Sequence, residues 1–145
     1  MAANIPSRLP SSVRISVKIS AAILWLTGCG WLVAHFFFQQ PNEFGIGPSA
    51  WEAPLLRVHG IAAVIGVFLF GWLVSLHISP LWRQSRNRTT GLTLYIAAAI
   101  LVISGYALYY VTNDLSHSVI AVVHELLGGL AIVAAVAHWT LRRER

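Results

Sequence analysis

Charged side chains are scarce in this sequence: ten basic and five acidic residues make up 10% of its 145 positions, against about 25% in an ordinary soluble domain. With 57% hydrophobic residues as well, the composition excludes a conventional water-facing surface and points to the membrane. Cysteine occurs once, which excludes an internal disulfide and leaves the redox compartment open. Coiled-coil heptads, low-complexity tracts and a long-period internal repeat are not evident. Proline and carboxylates are missing from the mid-depth of the long apolar segments, which argues against a transporter that uses broken helices and buried acids to move metal ions or protons.

What the chain does have is four long apolar segments: Ile19 to Phe38, Leu55 to Ile78, Leu92 to Val111 and Val119 to Trp139. Each is close to the ~20 residues a helix needs to span a bilayer. A helix satisfies its own backbone groups, as hydrocarbon demands, whereas isolated strands cannot. The expected architecture is all-α, a four-transmembrane-helix bundle forming one integral-membrane domain over residues 1–145. Arg8, Arg14 and Lys18 precede the first segment, Arg83, Arg86 and Arg88 lie between the second and third, and Arg142, Arg143 and Arg145 follow the fourth. With four crossings these fall on one side, facing Glu43, Glu52, Asp114 and Arg57 on the other, so both termini are expected in the cytoplasm. The net charge of +5 follows from this asymmetry. Because the basic clusters are short and flank spans, no nucleic-acid partner is called for.

Leu26-Thr27-Gly28-Cys29 looks like a lipoprotein cleavage site, but Gly30 to Phe38 continues the apolar run past it, which suits a retained membrane helix. Cys29 is then a small buried residue. Pro41, Gly45, Gly47 and Pro48 mark Gln39 to Trp51 as a loop without helix or strand. Ser49-Ala50-Trp51-Glu52 has capping-box spacing for the second helix, with Pro54 tolerated in its first turn. Ser116 or Asp114 is the expected cap of the fourth.

Six histidines stand out against this background. His59 and His77 are eighteen positions apart, five whole turns, so they share a helical face roughly 27 Å apart, near the two membrane surfaces. His124 and His138 are fourteen apart, rotated by about 40°, and again share a face. With the second and fourth helices parallel, His59 and His124 belong to the outer side, His77 and His138 to the inner. Two facing imidazoles at each depth suit the axial positions of two b-type haems, centres that carry single electrons and have no open position for oxygen. Gly66 and Gly128 would leave room for a flat macrocycle, and Arg57 and Arg83 or Arg86 could meet haem propionates. Small residues at helix spacing are commonly just packing surfaces, so the glycines alone favour packing, while the paired histidines favour haem; a cofactor-free scaffold would let the histidines be replaced without spectral consequence. His35 and His117 read as interfacial residues with a quinone contact as a second role. Glu125 reads as a functional acid, a cap or a partner of Arg57.

At these residues the chain resembles the bacterial four-helix membrane cytochrome b superfamily, which includes the cytochrome b subunits of formate dehydrogenase and nickel-iron hydrogenase. His59 matches the histidine at the outer end of their second helix, and His124 and His138 match the two on their fourth. Their remaining ligand comes from the first helix, where this chain offers none; His77 would replace it, with about 6 Å of unequal rise between the two pairs to absorb. The resemblance implies transmembrane electron transfer in a bacterial inner membrane, as the membrane subunit of an oxidoreductase, with a periplasmic or membrane redox subunit as partner and quinone as a further candidate. No haem c attachment motif, dinucleotide fingerprint or P-loop is present, so the catalytic half of such a reaction would lie on another subunit.

Overall fold

The computed structural model describes residues 10–75 and 88–141. His77 and Arg83 lie outside the described residues. Each apolar segment is helical: α1 is Ser11–Phe37, α2 Glu52–Leu73, α3 Arg88–Tyr110 and α4 Asp114–Leu141. All four start before their apolar runs, since the polar residues that precede the runs are compatible with helix. Pro54 falls in the first turn of α2, where a proline lacks no helical partner. Each helix is long and apolar enough to cross a membrane.

Burial is distributed as lipid requires. Large side chains such as Ile61, Phe68, Ile103, Leu126 and Val133 face outward, while Ser20, Thr27, Ala34, Ala62 and Ser104 are among the buried residues. Hydrocarbon does not drive apolar groups inward, so helices associate where small residues allow close contact. Along the α1–α2 seam, Ser20 Oγ donates to the Ala62 carbonyl at 3.5 Å. A side chain begun at Gly66 would stand 3.2 Å from Leu24 Cδ1 and 3.5 Å from Ser20 Oγ. α1 packs mainly on α2 and α3 on α4, with lighter α1–α4 and α2–α3 contacts closing the bundle. Phe70 and Tyr95, stacked at 5.4 Å, belong to the α2–α3 contact.

Two local expectations need correction. The stretch after α1 contains an antiparallel ribbon, β1 Gln40–Asn42 and β2 Gly45–Gly47, with Pro41 opposite Ile46. A two-stranded ribbon is all edge, where proline is tolerated. Asn42 Oδ1 accepts from Phe44 N at 2.9 Å, and Gly45, at φ 123°, takes a conformation that a side chain would strain. The cap of α4 is neither Ser116 nor Asp114: Asn113 Oδ1 accepts from Ser116 N at 3.0 Å. The box before α2 forms in part, with Ser49 N donating to Glu52 Oε1 at 2.8 Å and Trp51 N, not Glu52 N, donating to Ser49 Oγ at 3.3 Å.

Candidate functional site

The N-terminal halves of α2 and α4 bring His59 and His124 together, with ring centroids 6.3 Å apart and planes at 73°. Both rings are partly buried. The two helices pack mainly on their own hairpin partners, α1 and α3, rather than on each other.

Each hairpin partner holds its histidine in the same way. Thr27, buried in α1, donates through Oγ1 to the Ile23 carbonyl at 2.7 Å, and the same oxygen is 2.9 Å from His59 Nδ1. Ser104, buried in α3, donates to the Ile100 carbonyl at 2.7 Å and lies 2.8 Å from His124 Nδ1. The residue after each hydroxyl is a glycine, and the imidazole lies against it. A Cβ at Gly28 would stand 3.5 Å from His59 Cε1, and one at Gly105 would stand 3.2 Å from His124 Cε1. With Nδ1 engaged in both rings, Nε2 is the nitrogen left for a ligand.

These four residues were missed in the sequence, although Thr27-Gly28 and Ser104-Gly105 are the same kind of dipeptide one helix before a histidine. Gly66 and Gly128, the glycines expected to make room for a macrocycle, have other neighbours among the described residues. Gly66 meets Leu24 and Ser20 of α1, and Gly128 has Leu101 of α3 as its nearest neighbour, 3.9 Å from a Cβ built there. His138 lies at the other end of α4, where a Cβ on Gly91 of α3 would stand 4.0 Å from its Cε1. Gly91 and Gly105 are fourteen residues apart, as are His124 and His138, so one antiparallel register sets both histidines against glycines.

The remaining candidates are placed as follows. Arg57 is exposed on α2 two positions before His59. His35 stacks on Trp31 with centroids 4.8 Å apart, and its Nδ1 is 3.3 Å from Glu52 Oε2. His117 is exposed, and Glu125 is partly buried beside His124. Among the described residues no three His, Cys, Asp or Glu side chains group as metal ligands.

Two imidazoles on opposite sides of one metal ion stand with ring centres about 6 Å apart, given metal–nitrogen bonds of ~2 Å. The separation of His59 and His124 matches this. Two ligands from the chain are also what an iron already held by a macrocycle needs. His59 and His124 are thus the residues at this end of the bundle that would hold such an iron. No family model, curated protein or solved structure matches the chain.

Proposed function

We propose that this chain is a bacterial inner-membrane electron-transfer protein with two bis-histidine b-type haems, one on His59 and His124 and one on His77 and His138. In this reading both termini are cytoplasmic, and the His59/His124 end faces the periplasm, in keeping with the basic flanks of the spans. The chain serves as the membrane subunit of a redox complex, exchanging electrons with quinone or a periplasmic partner.

One observation carries the reading: His59 and His124 come from separate hairpins, lie with ring centroids 6.3 Å apart, and are each anchored at Nδ1 by a hydroxyl. Metal-bound histidines characteristically donate their second ring nitrogen to such an acceptor. Haem, when bound, would supply a centre that gains and loses single electrons. His59 and His124 would hold the iron through Nε2, and α1 and α3 seat the two rings through Thr27 and Ser104. Arg57 offers a guanidinium near the same end for a carboxylate.

The test is a reduced-minus-oxidised spectrum of the purified full chain with haem-to-protein stoichiometry. Two haems per chain are expected, with His59→Ala or His124→Ala removing one and His77→Ala or His138→Ala the other. Absence of a b-type band would overturn the reading, and a metal or proton transporter or a cofactor-free scaffold would take its place. Loss of no haem in His77→Ala would remove the second site alone.

A further inference from the structure

We infer that Thr27 and Ser104 are positioning residues that hold His59 and His124 in the Nδ1–H tautomer, so that Nε2 of each ring carries the ligating lone pair. A hydroxyl has one hydrogen to give. In Thr27 it goes to the Ile23 carbonyl at 2.7 Å, the usual length for an O–H···O bond, with the Leu24 carbonyl farther off at 3.2 Å. Ser104 repeats this with Ile100 at 2.7 Å and Leu101 at 3.3 Å. Each oxygen is then an acceptor toward the imidazole. The contacts of 2.9 Å and 2.8 Å to Nδ1 are ordinary N–H···O lengths. Were the hydroxyl turned toward Nδ1 instead, it would abandon a 2.7 Å bond to its carbonyl, and the ring hydrogen would sit on Nε2 and block ligation.

The device occurs twice, on different helices and with different hydroxyl residues. The sequence separations also differ, 32 residues from Thr27 to His59 and 20 from Ser104 to His124. Each time the ring lies against the glycine that follows the hydroxyl, closely enough at Gly105 that a Cβ would press on it and at Gly28 with room for one. The consequence for haem rests on the function proposed above; the tautomer does not.

The experiment uses the full chain as purified and reduced, so that any bis-histidine iron is diamagnetic, with 15N-labelled histidine at ~pH 8, above the ordinary histidine pKa. Nitrogen NMR should show a hydrogen-bonded Nδ1–H on both His59 and His124, and the same tautomer in the chain stripped of haem, where no iron on Nε2 imposes it. Thr27→Val, which keeps the shape and removes the hydroxyl, should weaken the His59 Nδ1–H hydrogen bond and speed its exchange, with the Leu24 carbonyl as the acceptor that remains, and Ser104→Ala should free the His124 Nδ1–H to exchange with water. Each variant should also weaken haem retention by about ten- to a hundred-fold and raise the midpoint potential, because an imidazole without that acceptor is a poorer electron donor. Thr27→Ser and Ser104→Thr should restore all three readouts. Protonation at Nε2 in the unaltered chain, or Thr27→Val with an unchanged Nδ1–H signal and potential, overturns the inference. Nδ1–H signals in a chain that carries no haem as purified would uphold it and sink the electron-transfer reading instead.

Discussion

Gly28 and Gly105 occupy equivalent places beside the two imidazoles but leave different amounts of room. A Cβ at Gly28 would make an ordinary contact of 3.5 Å with His59, whereas one at Gly105 would press on His124 at 3.2 Å and force it to give by a few tenths of an ångström. Tethered at Nδ1 by Ser104, the His124 ring has little freedom to move. Under the proposed haem ligation, Gly28→Ala is expected to leave haem content and line shape unchanged, and Gly105→Ala to broaden the low-temperature α-band and reduce occupancy. Equal behaviour of the two variants would show that ring seating does not control the site. A similar contrast tests the cap of α4. Asn113 supplies the side-chain acceptor and Ser116 only its backbone N–H, so Asn113→Ala should cost about 1 kcal/mol and speed hydrogen exchange in the first turn. Ser116→Ala should leave that turn unchanged.

At the level of elements, the α1–α2 seam is built on close approach. Ser20, Ala62 and Gly66 are small, and the adjoining Leu24 reaches over Gly66. Gly66→Leu would wedge the helices apart at an expected cost of about 1–3 kcal/mol, measurable as a lower midpoint of unfolding in a detergent titration. Since Gly66 faces α1, the first effect should be on stability, and the haem proposed on His59 should be lost only as the hairpin opens. Loss of haem at unchanged stability would place Gly66 at the cofactor instead. The seam also explains why the glycines were assigned differently from sequence. Helical periodicity puts Gly66 close to His59 around the axis, but a face wide enough to hold both residues can present them to different neighbours. Gly66 meets α1, and His59 reaches both α1 and His124.

For the whole molecule, the pairing of two hairpins decides which groups meet. α1 with α2 and α3 with α4 each form a unit carrying one hydroxyl-seated histidine, and the two units bring those histidines together with their ring planes at 73°. The connections differ: the first contains the β1–β2 ribbon with Phe44 at its exposed turn, the second only residues 111–113. The proposed orientation places Phe44 outside the cell. A Phe44→Cys chain, with Cys29→Ser to leave one thiol, should react with a membrane-impermeant thiol reagent applied to intact spheroplasts. Labelling only after the membrane is opened would reverse the orientation.

Hydropathy and histidine spacing were enough to establish four helices, their approximate limits, and the placement of His59 and His124 at one end of the bundle. Those properties are local or periodic, and a linear chain displays them directly. The ribbon after α1 was hidden because Pro41 and the flanking glycines read as breakers, while pairing between two short edge strands depends on how the chain turns at Asn42 and Gly45. Which hydroxyl anchors which imidazole, and which glycine makes room for it, depended on the rotation of each helix about its axis and on its neighbour. Those relations exist only between helices, so tertiary packing alone joined Thr27 to His59, Ser104 to His124, and the two histidines to each other.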